Sequence, residues 1–310
     1  MPSPSSPSST LPAGYAGDLA IPGWDLFYRG KVRDLYRNSS HPGHMLMVAT
    51  DRLSAFDVVM AETIPDRGKI LTHITEYWLQ KFQDRIGSAR LTCDPREVPD
   101  LPAEVHQDLA GRMTWTREAD RVNVEVVLRA RLAGSGWREY EATGRLWDHD
   151  LPAGLQNSSA LPQVLHTPTT KAEVDEPISW QQAVNLIGDA EEAQHIHTIA
   201  LDIFQAAAKS CAQQGVILAD TKFEFGRIDG KLVLIDEVMT PDSSRYWPAN
   251  KIAEGHEPPS WDKEIVRAYL RSVKEWNRQA PPPSIPSEII QHTRQQYLAI
   301  CEILTGTTPV

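Results

Sequence analysis

The segment at positions 216–226 (VILADTKFEFG) combines an apolar face and a charged face in one extended strand. Side chains alternate between the two faces of a strand. One face carries apolar residues and a single threonine: Ile217, Ala219, Thr221, Phe223 and Phe225. The opposite face carries Asp220, Lys222 and Glu224, spaced about 7 Å apart. The pattern therefore predicts a strand that packs on a core with one face and presents three charges on the other.

A second strand at positions 232–238 (LVLIDEV) follows and ends in two acidic residues. A carboxylate at the end of a buried strand is costly unless it is paired or binds a metal. A two-residue turn at Asp229-Gly230 would set Glu224 opposite Ile235, whereas an odd-numbered loop would set it opposite Asp236. Two facing carboxylates repel unless a cation lies between them, and Mg²⁺ suits that role. A solvated hairpin edge is the alternative that the pattern leaves open.

An early hairpin pattern carries glycine and cations at positions 30–34 (GKVRD). Glycine lets the backbone approach a ligand closely, and Lys31 and Arg33 are predicted to point to one face. This pattern resembles a flap over nucleotide phosphates, although the chain has no Walker A sequence. A solvated hairpin would show the same residues.

Two further segments combine arginine with small or hydroxyl residues, which suits recognition of phosphate or carboxylate. Arg129 and Arg131 lie on one face of an apolar strand that runs into a predicted turn at 134–136 (GSG), a candidate anion-binding nest. The segment at 240–247 (TPDSSRYW) places two serines before an arginine. An internal salt bridge or an ordinary turn would explain the same residues.

The remaining pattern predicts an α+β fold with a β-rich first third and a helical end. Ser179 and Gln182 have the spacing of a capping box. Residues 141–178 show little periodicity, which is typical of a functional or a disordered loop. Helices are predicted at about 69–83, from Ser179 to Gly215 with a break near Gly188, at about 262–277 and at about 287–304.

Composition limits the partners and the compartment. The 310 residues include 31 Lys and Arg against 41 Asp and Glu, a formal net charge of −10, so we expect neither nucleic acid nor an anionic membrane as a partner. No apolar run approaches about 18 residues, the length of a membrane span. Three cysteines without a CxxC pair indicate reduced thiols in a cytoplasmic protein. The start at 1–14, rich in Ser and Pro, is predicted to be a disordered tail.

Six segments together resemble the phosphoribosylaminoimidazole-succinocarboxamide synthase (SAICAR synthetase) family. They are GKVRDLY (30–36), TDRLSAFDV (50–58), EVVLRARLAGSGWREY (125–140), TPTTKA (167–172), GVILADTKFEFG (215–226) and DEVMTPDSSRYW (236–247). The resemblance implies a SAICAR synthase-like α+β fold, similar to ATP-grasp proteins or kinases, with an antiparallel-sheet N-terminal lobe, a mixed α/β C-terminal lobe and terminal helices. Its expected parts are the tail at 1–14, a nucleotide-covering lobe at 15–120, a central lobe with the substrate and Mg site at 121–253, and a helical segment at 254–310.

The resemblance also implies a reaction and its residues. The family joins L-aspartate to the carboxylate of carboxyaminoimidazole ribotide (CAIR) and hydrolyses ATP, with Mg²⁺ as the metal. ATP phosphates would be covered by Gly30, Lys31, Val32 and Arg33, with Mg²⁺ on Glu224 and Asp236. Substrate would be bound by Ser54, Asp57, Arg129, Ser135, Asp220, Lys222, Asp242, Ser244 and Arg245. Lys222 would neutralise the CAIR carboxylate or the transferring phosphoryl group, and Asp220 would hydrogen-bond the imidazole's amine.

Two other functions share part of this pattern. A small-molecule kinase would use the same ATP and Mg²⁺ features but leave the phosphate on its substrate, whereas the ligase releases phosphate and needs aspartate. A non-catalytic nucleotide-binding protein would bind nucleotide without aspartate-dependent ADP release. The segment at 75–78 (TEYW) and Val174 depart from the family's usual residues. These departures affect the expected details of the aspartate pocket and not the expected reaction. Both a monomer and a homo-oligomer stay open.

Overall fold

The structure is a computed structural model that describes residues 13–171 and 176–309. Most of the predicted tail at 1–14 lies outside the described residues, as does Val174. Within the described ranges the chain forms two large sheets, two small β-pairs and seven α-helices.

The N-terminal part forms an antiparallel sheet around its own core. Its elements are β1 (Asp25–Arg29), β2 (Arg33–Arg37), β3 (His44–Ala49), β4 (Arg52–Ala55), β5 (Val58–Thr63), α1 (Arg67–Phe82), β6 (Gly87–Ser88), β7 (Arg90–Thr92), α2 (His106–Leu109), β8 (Met113–Arg117) and β9 (Asp120–Arg121). Five strands pair antiparallel in the order β1-β2-β3-β8-β7. One face of this sheet buries Trp24, Leu46 and Trp115. Strands β4 and β5 form a separate hairpin.

The rest of the chain is organised around one long strand. Its elements are β10 (Val124–Arg131), α3 (Gly134–Thr143), β11 (Arg145–Leu146), β12 (His149–Asp150), β13 (Ala160–His166), β14 (Thr169–Thr170), α4 (Trp180–Ile187), α5 (Ala190–Gln213), β15 (Val216–Ile228), β16 (Lys231–Ile235), β17 (Ser244–Pro248), α6 (Glu264–Ser272) and α7 (Ser287–Thr305). An eight-stranded sheet has the path β13-β10-β15-β16-β6, with β14 paired to β10 and both β9 and β17 paired to β15. β15 is the strand predicted from its two-faced pattern.

The main core lies under β15, but it does not follow the predicted apolar face along the whole strand. Val216 and Leu218 of the opposite predicted face belong to it, and Ala219 packs in a separate cluster, because the pairing register shifts between Leu218 and Asp220. Phe223 and Phe225 are fully buried in the main core with Phe204 from α5. α1 belongs to the same core through Trp78 and Phe82, although it comes from the predicted N-terminal lobe. The α+β fold is therefore confirmed, and α1 joins the two parts of the chain by packing. The predicted domain boundaries themselves stay a prediction.

Local capping signals agree with the structure. The Ser179 hydroxyl accepts a hydrogen bond from the backbone N–H of Gln182 at 3.2 Å, and the Gln182 side chain accepts one from the backbone N–H of Ser179 at 2.8 Å. Gly188 ends α4 in the left-handed conformation, which confirms the predicted break. Such signals involve only neighbouring residues, so tertiary packing does not override them.

Two sequence-based expectations were wrong. Gly134-Ser135-Gly136 is the first turn of α3 rather than a separate turn. Gly134 has φ +53°, and a Cβ built there would lie 2.3 Å from the Arg245 guanidinium, so the glycine permits a close approach. The supposed loop at 141–178 contains β13, which pairs with β10 at the sheet edge. Pro162 interrupts the alternation in β13, and proline is tolerated on an edge strand.

The described residues bear on two expectations from composition, namely the lack of a membrane span and the reduced state of the cysteines. Across 13–171 and 176–309, no helix has both the length and the apolarity that crossing a bilayer requires. Cys211 and Cys301 are buried, Cys93 is half-buried, and none of the three forms a disulfide. Cys211 and Cys301 therefore act as small apolar side chains of the main core, as predicted, whereas the half-buried Cys93 thiol donates to the Glu76 carboxylate at 3.2 Å.

Candidate active site

A cleft of about 1030 Å³ lies between the N-terminal sheet and the exposed face of β15. The turn between β1 and β2 and the turn between β4 and β5 contribute to one side. The start of α3, the charged face of β15 and a polar face of α6 contribute to the other. Most predicted site residues line it, namely Gly30, Lys31, Val32, Arg33, Ser54, Asp57, Ser135, Lys222, Glu224, Asp236, Asp242 and Arg245.

The turn between β1 and β2 forms a tight flap over the cleft. The Gly30 N–H donates to the Arg33 carbonyl at 2.7 Å, which closes the turn. The Lys31 ammonium contacts the Asp57 carboxylate at 2.6 Å, so the flap meets the turn between β4 and β5. Arg33 turns inward and contacts Asp236 at 2.6 Å. Lys31 and Arg33 therefore both line the cleft, but they contact carboxylates on different elements.

The register of the β15–β16 hairpin settles one open alternative. Ile228 pairs with Lys231 across a two-residue turn, which sets Glu224 opposite Ile235. Asp236 nevertheless reaches Glu224, because it leaves the strand with φ +59°, a left-handed conformation that Asp tolerates. The two carboxyl groups interact electrostatically, and the charge of Asp236 acts to raise the pKa of Glu224. The acidic pair therefore forms on one side of the sheet despite the offset register.

The electrostatics of the acidic pair favour a bound cation. Burial and then the charge of Asp236 raise the pKa of Glu224 to about 7. Burial acts to raise the pKa of Asp236 as well, but Arg33, Lys222 and Lys171 together outweigh it and the pKa falls below its ordinary value. Carboxylate oxygens are hard donors of the kind that Mg²⁺ takes together with phosphate and water. The residues present therefore fit this metal.

Three lysine and glutamate side chains surround the acidic pair. The Lys171 ammonium lies 2.5 Å from Glu224 and 3.4 Å from Glu125. The Lys222 ammonium lies 2.7 Å from Glu125. Burial acts to lower the pKa of Lys222, but Glu125 outweighs it and the pKa rises above its ordinary value. Lys222 therefore presents a permanent positive charge beside the pair.

Asp220, Arg129 and Ser244 are buried beside the cleft instead of lining it. The Asp220 carboxylate accepts from Arg129 at 3.2 Å and from Arg245 at 2.5 Å, and it is 4% exposed. The Ser244 hydroxyl contacts Thr221 at 2.7 Å. In this arrangement Asp220 orients the Arg245 guanidinium, which does line the cleft. The contact of Asp220 with the imidazole's amine of CAIR stays a prediction.

Asp242 is the centre of a buried ionic network. Its carboxylate accepts from Arg67 at 2.5 Å, from the Tyr297 hydroxyl at 2.6 Å and from Lys263 at 3.2 Å. These partners come from α1, from α7 and from the residue before α6. Burial opposes ionisation, yet Arg67 and the other partners hold the pKa of Asp242 well below its usual range. Both of its oxygens are thus engaged by protein groups.

The sequence pattern assigned no site role to several residues that line the cleft or brace it. Lys171 and Glu125 belong to the segments TPTTKA and EVVLRAR, whose contact with β15 is long-range. Lys263, Arg267 and Arg271 recur every four residues and line the cleft from α6. This periodicity, opposite the buried Val266 and Leu270, was a signal that could have identified the helix face.

The raised pKa of Glu224 gives a test of the acidic pair without metal. A carboxyl whose pKa is about 7 folded and 4.5 unfolded destabilises the fold as pH rises from 4.5 to 7. Glu224→Gln mimics the neutral form, so with a chelator it should be more stable than wild type by about 3 kcal/mol near pH 8 and by less than about 1 kcal/mol near pH 5. Urea unfolding at both pH values measures this. Glu302→Gln, at an exposed position on α7, is the matched control, and an equal effect there would contradict the prediction.

Comparisons with known proteins show what this chain is similar to. A family described as SAICAR synthetase matches residues 26–283. A phosphoribosylaminoimidazole-succinocarboxamide synthase of Syntrophobacter fumaroxidans is 44% identical over 92% of this chain and 94% of its own length. One of Desulforapulum autotrophicum is 41% identical over 93% and 97%. A solved structure described as SAICAR-synthase from Saccharomyces cerevisiae complexed with SAICAR is 33% identical, covers 93% of this chain and 96% of its own, and has a TM-score of 0.82.

Proposed function

Because the chain belongs to the SAICAR synthetase family, we propose that it is an ATP-dependent ligase. It joins L-aspartate to the carboxylate of CAIR and yields SAICAR, ADP and phosphate, a step of de novo purine (IMP) biosynthesis. The observation that carries this function is the convergence of a phosphate flap, an acidic pair, Lys222 and Arg245 on one cleft. The yeast relative of 33% identity was solved with SAICAR, the product of this reaction.

The chemistry requires that two anions meet. A carboxylate is a poor acyl donor, so the reaction proceeds through an acyl phosphate that the aspartate amine attacks. Forming it brings the CAIR carboxylate against the γ-phosphate of ATP. At 3.5 Å and an effective dielectric near 20, each pair of unit charges costs about 5 kcal/mol. The cleft must therefore supply fixed positive charge.

This chain's own residues suit that task. Arg33, Lys31 and the backbone of Gly30 cover the triphosphate from the flap. Lys222 neutralises the CAIR carboxylate or the transferring phosphoryl group, since Glu125 keeps its ammonium charged and in place. Arg245 and Ser135 bind the ribotide, with Arg129 and Asp220 bracing Arg245 from below. Catalysis then rests on alignment and electrostatics.

Glu224 and Asp236 would hold Mg²⁺ in this proposal, and Ser54 and Asp57 line the substrate side of the cleft. The metal supplies positive charge to the phosphate oxygens. Because purine precursors are small soluble molecules and the cysteines form no disulfide, we place the protein in the cytoplasm.

One assay separates the ligase from the other functions. ADP release is measured with ATP, Mg²⁺ and CAIR, with and without L-aspartate, and the product is identified by mass. The ligase releases ADP and free phosphate only when aspartate is present. ADP release without aspartate, with phosphate retained on CAIR, would establish a kinase instead. Nucleotide binding without any turnover would indicate a non-catalytic nucleotide-binding protein.

A further inference from the structure

A tryptophan in the small β11–β12 hairpin has a backbone conformation that suits glycine. Leu146 pairs with His149 across a two-residue turn, and Trp147 is the first residue of that turn. Trp147 has φ +52°, in the left-handed region. The first position of such turns favours glycine, asparagine or aspartate, and a bulky side chain there strains the backbone. Strain of this kind persists only where surrounding contacts hold it, and it is concentrated at functional sites.

Contacts just after the turn hold the hairpin in place. The Asp148 carboxylate accepts from the backbone N–H of Trp180 at 3.0 Å, at the start of α4. The His149 ring contacts the His166 carbonyl oxygen at 2.9 Å, at the end of β13. The two residues that follow Trp147 are therefore fixed to remote elements, and these contacts keep the strained backbone in its conformation.

The indole ring of Trp147 lies against a buried cation. The guanidinium carbon of Arg129, a residue that is 5% exposed, lies 5.3 Å from the centre of this ring. A cation within about 6 Å of an aromatic face is attracted by the ring, and more strongly where water is excluded. Around its edge the guanidinium donates to Thr167 at 2.9 Å, to Asp220 at 3.2 Å and to Ser135 at 3.3 Å. The ring thus covers one face of a group whose edge is held by hydrogen bonds.

Arg129 needs a partner besides the carboxylate that it contacts. Asp220 is shared, because it also accepts from Arg245 at 2.5 Å. Burial, followed by the charges of Arg245 and Arg138, lowers the pKa of Arg129 to about 10, although Asp220 acts to raise it. The face of an aromatic ring carries partial negative charge. Trp147 therefore stabilises a buried cation at a place where one carboxylate serves two arginines.

This stacked pair lies behind the wall of the cleft that is assigned to the ribotide. Ser135 and Arg245 line the cleft. Arg129 contacts Ser135 directly, and the shared Asp220 links it to Arg245. We propose that Trp147 is a positioning residue, whose ring fixes Arg129 and thereby the two groups that would bind the ribotide. This inference rests on the proposed function and concerns the ribotide end of the same cleft.

Steady-state kinetics on the full chain test the role of the ring. Trp147→Leu should raise the KM for CAIR about fivefold to tenfold, because Arg129 loses its cation–π contact and no longer holds Ser135 and Asp220 in one geometry. The KM values for ATP and aspartate should change less than about twofold, since the flap and the acidic pair are untouched. Trp147→Phe keeps an aromatic face at this position and should recover most of the loss.

A glycine variant separates positioning from a merely structural role. Trp147→Gly removes the ring but also removes the backbone strain, so it should melt at a higher temperature than Trp147→Leu. Its KM for CAIR should nevertheless rise as it does in Trp147→Leu, since no ring faces Arg129. A residue needed only for the shape of the hairpin would give the opposite result, with glycine restoring the wild-type KM.

The matched control removes a different ring that contacts a cation. Tyr77 lies on α1, outside the residues that line the cleft, and the Lys81 ammonium is 5.1 Å from the centre of its ring. Tyr77→Leu should therefore leave the KM values for CAIR, ATP and aspartate near those of wild type.

The outcomes separate this inference from the function on which it rests. Aspartate-dependent ADP release by wild type establishes the ligase, and its absence overturns the proposed function. Given that activity, a selective rise in the CAIR KM of Trp147→Leu and Trp147→Gly supports the positioning role. An unchanged CAIR KM, or an equal rise in all three KM values, overturns it. Thermal melting shows that each variant is folded, and Trp147→Gly decides the question if Trp147→Leu does not fold.

Discussion

Replacing Lys222 with methionine is expected to lower kcat by about 100- to 1000-fold, the usual loss when one preorganised electrostatic group is removed. Lys222 lies on the charged face of β15, two residues before Glu224, and lines the cleft. Its ammonium lies 2.7 Å from the Glu125 carboxylate. Methionine keeps much of the length of the side chain and removes only the charge. The KM for ATP should change little, because the flap makes the phosphate contacts. ADP release in the presence of aspartate measures the effect.

The control for Lys222 lies in the same hairpin. Lys231 begins β16, is exposed, and lies outside the cleft, so Lys231→Met should leave kcat near the wild-type value. In Lys222→Met the buried Glu125 carboxylate still has a cationic partner, because the Lys171 ammonium lies 3.4 Å from it. The variant should therefore fold. A near-normal kcat in Lys222→Met would remove this residue from the mechanism.

Replacing Asp236 with asparagine is expected to raise the Mg²⁺ concentration needed for half-maximal activity by at least about 100-fold and to lower kcat at saturating ATP. One of two carboxyl donors is lost, and Arg33 loses its partner at 2.6 Å. Asparagine tolerates the left-handed backbone at this position, where φ is +59°, so the change acts on charge and not on conformation. Titration of Mg²⁺ in the ADP-release assay measures it.

Asp229→Asn provides a matched comparison for the metal site. Asp229 also has a left-handed backbone, with φ +52°, but it lies in the exposed hairpin turn and contacts Arg117. Its Mg²⁺ dependence should equal that of wild type. If Asp236→Asn kept the wild-type Mg²⁺ dependence as well, Asp236 would not be a ligand of the metal.

Sequence reasoning was most accurate where neighbouring residues decide the structure. The alternation in β15 correctly separated the buried Phe223 and Phe225 from the more exposed Lys222 and Glu224, because strand geometry alone sets these faces. The capping box at Ser179 was visible for the same reason. The alternation failed nearer the start of β15, where Val216, Leu218 and Asp220 of the predicted charged face are buried. β13 was missed because its partner β10 is distant in sequence and Pro162 breaks the alternation. Pairing with a remote strand stabilises a segment whose own pattern is weak.

The candidate site shows the same division. Motif resemblance named most of the residues that line the cleft. It did not show that Asp220 is buried between two arginines, or that Asp242 is engaged on both oxygens. Lys171 and Lys263 were not assigned, because their places depend on how β14 and α6 pack against the central sheet. Electrostatic roles depend on distances of a few ångströms between remote segments, and no local pattern encodes these.

The amino-acid sequence by itself determined the two-faced central strand, the chief helices with their caps, and the family whose motifs the chain carries. Backbone geometry and short-range hydrogen bonds suffice for these features. Only the tertiary structure decided how the acidic pair forms, since Asp236 reaches Glu224 by a left-handed turn after the strand and not by pairing opposite it. It alone also brought the cationic side of α6 to the cleft, because burial of Val266 and Leu270 against a distant hairpin sets the rotation of that helix.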